Sequence, residues 1–214
     1  MSSQPQILFV DRHLLLVLKP AGWLTQPALH AAGPDLESWA QEWDKNEAAG
    51  GRSSWIQVVH RLDRSVSGIV LFARSSKALA RLNAQMRERK MEKEYLAWVE
   101  GNVQNESGRL IHQLLHDDFR ARVVSSGGKE AILDYTVLER KPKQTLLSLR
   151  LVTGRYHQIR AQLAVIGHPI MGDTKYGASS SGAPGQIALH HARLSCFHPI
   201  TGELLTWESS PAHF

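Results

Sequence analysis

The sequence predicts an α+β fold built on a largely antiparallel or mixed β-sheet with flanking helices. Strand-like segments outnumber helical ones, and the two kinds do not alternate as a parallel βαβ array requires. The chain has 214 residues, 43% of them hydrophobic, enough to bury the core of one substantial domain. No internal repeat is visible, so residues 1–214 are expected to form a single domain.

After a polar lead over residues 1–5, segments 7–10 and 14–18 read as strands. The second ends in Lys19-Pro20-Ala21-Gly22, a structural turn in which proline and glycine set backbone shape. Asp35 is the candidate N-cap of a short helix whose apolar stripe is Leu36, Trp39 and Trp43, with residues 48–54 as its loop exit. Segments 56–60 and 69–73 read as strands, which places the polar run 61–68 at a strand end or in a loop. Ser75 or Ser76 caps the next helix, with Leu79, Leu82 and Met86 on one face and most basic residues elsewhere. Further strands are expected around Tyr95–Val99 and over 132–138 and 145–152. Thr153 or Gly154 opens a helix with Tyr156, Ile159, Leu163 and Ile166 as its stripe, leaving His157 and Arg160 together on another face. Residues 172–185 read as a loop, and 189–197 and 203–208 as closing strands.

Cys196 is the only cysteine, which excludes an intrachain disulfide, a cysteine zinc cluster and an iron–sulfur site, and makes a reducing compartment the simplest home. The longest early apolar stretch is broken by Asp11, Arg12 and His13, too short and too charged for a signal segment or a membrane span. A soluble, cytoplasmic protein is expected. Lys and Arg number 25 against 20 Asp and Glu. Between Arg61 and Glu94 there are nine of the former and four of the latter, so that segment carries the whole net charge of +5. Such a run is either a solvated helix face or a surface for a phosphate-rich partner. Neither His190-His191 nor His116-Asp117-Asp118 has the spacing of a metal-binding HExxH helix, and no metal is expected.

One segment is more specific. His60-Arg61-Leu62-Asp63-Arg64-Ser65-Val66-Ser67-Gly68 resembles the HRLD signature of RluA-type RNA pseudouridine synthases. Lys19-Pro20-Ala21-Gly22 is similar to the family's first motif and Lys93-Glu94-Tyr95-Leu96-Ala97 to its tyrosine motif. Thr153-Gly154-Arg155-Tyr156-His157-Gln158-Ile159-Arg160, continuing to Gly172-Asp173 and Tyr176-Gly177, resembles the third. Leu189-His190-His191-Ala192, then His198-Pro199 and Thr201-Gly202-Glu203, resembles the closing segment, so the likeness spans nearly the whole chain.

The resemblance implies the pseudouridine synthase fold with a central RNA-binding cleft, and isomerisation of uridines in structured rRNA or tRNA. Moving uracil from N1 to C5 breaks a glycosidic bond, turns the freed base, rejoins it through carbon and removes the C5 proton. No redox step or group transfer occurs, so no cofactor is implied. Such chemistry needs an ionised carboxylate beside the ribose. Asp63 stands in the catalytic aspartate's position; it either attacks the sugar or removes a ribose proton. A water-poor pocket favours the protonated acid, so a cation is needed beside it, and the resemblance implies Arg160, the third motif's arginine, as the candidate that pairs with this carboxylate. Tyr95 offers a flat face for the base and a phenolic oxygen for the C5 proton. The target must leave its stack, which favours loop uridines, with Arg61 and Arg64 against phosphate or in the vacated gap. His60 and His157 are expected to orient groups at the cleft, and Arg155 and Gln158 to complete the RNA-binding set. RNA is the expected partner, with no membrane, no obligate protein partner and a monomeric state.

Two departures from the family pattern stand out. Many relatives carry an RNA-binding S4 domain before the catalytic domain, whereas the sequence here opens almost at the first catalytic strand, and substrate choice is expected to reside in the catalytic domain. Val66 replaces the usual threonine, from which a local packing or loop effect is expected. Two other functions use the same residues: an RNA-binding or assembly protein that does no chemistry, and a glycosidase, which needs a second carboxylate. Asp173 is the only motif-borne candidate for that second acid.

Overall fold

Strand β2, Leu14–Lys19, is buried at every position but Leu18, and the sheet of the first unit is built around it. The structure, a computed structural model, describes residues 4–29, 32–47, 55–179 and 185–211. The chain divides into two units: residues 1–91 with 194–210, and residues 92–193 with 211–214. The loop expected over 48–54 lies outside the described residues, as does part of the one expected over 172–185.

In the first unit β1, Gln6–Val10, pairs antiparallel with β2, which pairs antiparallel with β4, Ser67–Ala73. The short β3, Gln57–Val58, lies beside the far end of β4. The register sets Lys19 opposite Gly68, so the turn after β2 and the loop before β4 leave the sheet at the same edge. Helix α1, Leu36–Glu47, starts as expected: the Asp35 carboxylate accepts the Ser38 N–H at 2.8 Å. Its buried residues are Leu36, Glu37, Ala40 and Asp44, and Trp39 and Trp43 are only half-buried. The apolar stripe expected from the tryptophans is thus displaced, because Asp44 turns inward to pair with Arg74.

Helix α2, Ser76–Arg87, is capped by the Ser75 hydroxyl, which accepts the Ala78 N–H at 3.2 Å. It seats Ala78 and Leu82 against Leu14, Leu16, Ile69 and Leu71 and leaves Lys77, Arg81 and Arg87 exposed, as its periodicity predicts. Strand β10, Leu189–Phe197, ends in this unit, adding Leu194 and Cys196 to the core. Ser195 on β10 and Thr206 on β11, Leu204–Glu208, share a hydrogen bond of 2.9 Å. Burial pushes the Cys196 thiol up to about 12.

The second unit is an antiparallel array in the order β5-β9-β8-β6-β7. Its strands are β5 Glu92–Glu100, β6 Ser107–Asp117, β7 Arg120–Val124, β8 Lys129–Lys141 and β9 Gln144–Leu151. Helix α3, Gln158–Val165, is riveted to the array by Gln162, fully buried, whose amide nitrogen donates to the carbonyls of Leu110 and Ala131, each at 3.2 Å. The helix begins later than expected. His157 adopts a left-handed backbone, φ 50°, so Tyr156 lies before the helix and is exposed rather than part of its stripe. Every residue from Gln158 to Leu163 is buried, so α3 has no solvent face over its first turns.

Leu82→Ala should cost about 2–5 kcal/mol, and Leu79→Ala, at a half-buried site, less than half of that. Urea unfolding of each variant checks this, the midpoint falling while the slope is unchanged.

Candidate active site

The sharp turn that carries Asp63 is closed by a hydrogen bond from the Val66 N–H to the Asp63 carbonyl at 3.1 Å. On one side Thr25 both donates to the Leu62 carbonyl, at 2.8 Å, and accepts the Leu62 N–H, at 3.0 Å. On the other, the Arg64 carbonyl accepts the Gly22 N–H at 2.7 Å and Arg64 Nε donates to the Gly22 carbonyl at 2.9 Å. Asp63 is half-buried between two residues whose backbones are pinned. Gly22 has φ 89°, a left-handed conformation that lets the turn fold back onto Arg64.

Beneath this loop lies Lys19, with no exposed surface. Its ammonium donates to the carbonyls of Trp23 at 2.8 Å, Pro20 at 3.1 Å and Arg64 at 3.4 Å, one acceptor for each N–H. Desolvation lowers its pKa from 10.5 to about 7; the Asp63 charge opposes the fall and Arg64 adds to it. The first motif is therefore more than a turn. It buries a cation under the aspartate loop, a role that its proline and glycine hid.

In the second unit Arg160 is buried and fixed along two edges. Nε and Nη2 donate to the two carboxylate oxygens of Asp173 at 2.7 and 2.8 Å, and Nη1 lies 3.0 Å from His157 Nε2. The guanidinium carbon sits 4.9 Å from the centre of the Tyr176 ring. His157 and Arg160 do meet, but not across a helix face as their spacing predicts, because His157 lies before α3 with a left-handed backbone. Asp173 and Tyr176 are the partners that sequence reasoning missed, although a buried arginine demands a carboxylate and Asp173 lies in the same motif.

Tyr95 lies on β5 with its ring stacked on His191, centroids 4.5 Å apart and planes inclined by 21°. Lys93, two residues earlier, projects from the same strand face, and burial lowers the pKa of its ammonium. Arg61 is exposed. Arg64 is exposed but tethered to Gly22, and Arg155 is exposed with Nε donating to the Glu130 carbonyl at 2.9 Å. His60 is buried, its Nε2 accepting the Leu71 N–H at 3.3 Å. Gln158 is buried with its oxygen accepting from Thr153 and the Arg155 N–H and its nitrogen donating to Ile132. That side chain ties together the turn before α3. Among the described residues no three His, Cys, Asp or Glu side chains are grouped to hold a metal ion, and no helix is long and apolar enough to cross a membrane.

A family model described as RNA pseudouridylate synthase matches residues 13–165, and the chain belongs to that family, in its RluA-type branch. It is 36% identical over 208 residues to the uncharacterized RNA pseudouridine synthase YhcT of Bacillus subtilis, an alignment covering 95% of this chain and 67% of the relative. It is 35% identical over 208 residues to the dual-specificity RNA pseudouridine synthase RluA of Haemophilus influenzae, covering 95% and 91%. The solved structure of human RNA pseudouridylate synthase domain containing 4 superposes with a TM-score of 0.80 over 96% of this chain and 88% of that one, at 21% identity. For human RNA pseudouridylate synthase domain containing 1 the TM-score is 0.77 over 97% and 84%, at 23% identity. The antiparallel or mixed sheet with flanking helices is the fold they share.

A lysine whose pKa falls to about 7 in the folded chain, against 10.5, binds fewer protons folded than unfolded across that interval, so its contribution to stability improves as pH rises through it. The unfolding free energy of the wild type should therefore gain on that of Lys19→Met between about pH 7 and about pH 10. Urea titrations at both ends measure this; a difference independent of pH would show that the ammonium is not desolvated.

Proposed function

We propose that the protein is a cofactor-free isomerase that converts specific uridines in structured rRNA or tRNA to pseudouridine, with Asp63 as the catalytic carboxylate. The observation that carries this reading is the Asp63 loop. Its flanking residues are hydrogen-bonded on both sides, so the carboxylate is presented from a fixed backbone rather than from a mobile surface turn. Membership of the family supplies the reaction class.

In this reading the carboxylate acts at the ribose, Arg160 is the guanidinium that keeps it ionised, and Tyr95 meets the base and removes the C5 proton. His191 supports one face of the tyrosine ring, which suits a side chain that must hold its plane while a pyrimidine turns. Arg61 contacts the RNA around the extruded nucleotide, and the exposed basic face of α2 supplies charge for phosphate. YhcT and RluA are named for RNA substrates, which favours RNA over a free nucleoside. A hydrolytic glycosidase is disfavoured because Asp173, its candidate second carboxylate, is buried with both oxygens engaged by Arg160.

The test is pseudouridine mapping in total RNA from cells that lack the gene, complemented with wild type or with Asp63→Asn. A site that disappears and returns only with the wild type is the expected result. A site restored equally by Asp63→Asn overturns the assignment. Tyr95→Phe should still bind RNA yet stall before product release, and unchanged turnover in that variant would remove the proton-transfer role.

A further inference from the structure

Among the described residues the Lys93 ammonium makes no hydrogen bond and no ion pair. Burial lowers its pKa and no acid opposes the fall, in contrast to Lys19, where Asp63 does. The acids beside it in sequence, Glu92 and Glu94, project from the opposite face of β5, and Glu94 accepts from Arg193 at 3.0 Å. An ammonium partly withdrawn from water with nothing to pair with costs stability, so the fold gains nothing by holding it there. Its own face of β5 carries Tyr95, whose ring is backed by His191. Gly154, in the turn before α3, is exposed, and a Cβ there would stand 3.7 Å from Lys93 Nζ. The ammonium thus sits beside backbone that has no side chain to cover it.

The reaction supplies a transient anion. Breaking the bond between N1 and the anomeric carbon sends the bonding pair to the base, whether Asp63 replaces N1 on the sugar or takes a ribose proton. Uracil is then a monoanion, its charge spread from N1 over O2, O4 and C5. When C5 bonds to the anomeric carbon it gives a pair back to the sugar, then loses its proton while N1 gains one, and the base ends neutral. The charge exists only between the two bonds, so a cation that meets it lowers the barrier without tightening ground-state binding. We infer that Lys93 is a further catalytic residue: its ammonium donates a hydrogen bond to a carbonyl oxygen of the detached uracil anion while that base rests on Tyr95, and keeps its own protons. The inference rests on the function proposed above, because a base that never leaves its sugar never carries this charge. Partial desolvation suits the task, since the attraction between the ammonium and the anion grows as water is excluded.

Three readouts on the whole chain test it. Urea unfolding of Lys93→Met should give a midpoint at or above that of the wild type with the slope unchanged, because an unpaired cation is replaced by an apolar chain of similar length. A lower midpoint would show that the ammonium is a structural partner and overturns the inference. The second readout is single-turnover tritium release from total RNA carrying uridine tritiated at C5, prepared from cells lacking the gene. Lys93→Met should slow release about 100-fold with RNA affinity held within about 3-fold, and Lys93→Arg, which keeps the charge, should recover to within about tenfold of wild type. Equal loss in both variants, or weakened RNA binding with an unchanged rate in Lys93→Met, as for a phosphate contact, overturns it. The third needs no turnover. Barbiturate, a planar pyrimidine that is already an anion at neutral pH, should bind the wild type about tenfold more tightly than uracil, and Lys93→Met should abolish that preference. Absence of the preference in the wild type, or its survival in Lys93→Met, overturns the inference. If the wild type releases no tritium yet shows a preference that depends on Lys93, the proposed function has failed and the anion site stands.

Discussion

A guanidinium taken out of water has to be paired, and the pairing of Arg160 with Asp173 shapes much of the second unit around it. Their side chains are 7% and 1% exposed, where a lone charge would be prohibitive and where losing one partner of such a pair typically costs about 3–5 kcal/mol. Asp173 precedes a single 3-10 turn, Thr174–Tyr176, which returns the Tyr176 ring to the guanidinium and its hydroxyl to His157. His157 in turn gives up helical geometry so that its ring can reach Nη1, and α3 starts one residue later with every side chain of its first turns buried. One ion pair thus accounts for a helix without a solvent face, a left-handed residue at its start and a tyrosine whose hydroxyl points inward.

The first unit buries a cation by a different route. An arginine cannot shed its proton, so it requires a carboxylate; a lysine can, and it tolerates a shell of neutral acceptors. Lys19 has three backbone carbonyls and a pKa near 7, with Asp63 close enough for its charge to register. Because one of those carbonyls belongs to Arg64, the ammonium ties the turn after β2 to the residue following the aspartate. The two buried cations therefore perform separate tasks: one organises backbone, and the other gathers the side chains of Asp173, His157 and Tyr176 around itself.

Much of this was legible in the residues. The caps Asp35 and Ser75, the strand pair around Leu14–Lys19 and the outward basic face of α2 follow from local rules of capping and periodicity, which need no knowledge of what packs against what. The motif order singled out Asp63, Tyr95 and Arg160 as candidates. The hairpin of β6 and β7 escaped detection because apolar residues fall on both faces of β6: Leu110 and Leu114 lie on its more buried face, Ile111 and Leu115 on its exposed one, so the residue types do not alternate although burial does. The face of α1 was misjudged because two tryptophans outweigh an aspartate on any apolar scale, whereas the inward position is settled by a charge partner, Arg74, thirty residues away. Lys19 and Asp173 share that difficulty: a buried charge is recognised only through its partner, and pairing is a long-range fact.

Val66, where the family pattern has threonine, shows how a departure can be read from such partners. Its backbone N–H closes the Asp63 turn, a contribution any non-proline residue makes, and its side chain is buried at 3% exposure. A threonine there would bring a hydroxyl that must find an acceptor, whereas valine keeps the same branched shape and leaves no polar group to satisfy. What the loop requires at this position is shape and a backbone donor, and valine supplies both. The constraint on Asp63 therefore resides in Thr25, Gly22 and Lys19, whose hydrogen bonds reach Leu62 and Arg64 directly, and the turn keeps its geometry without the hydroxyl.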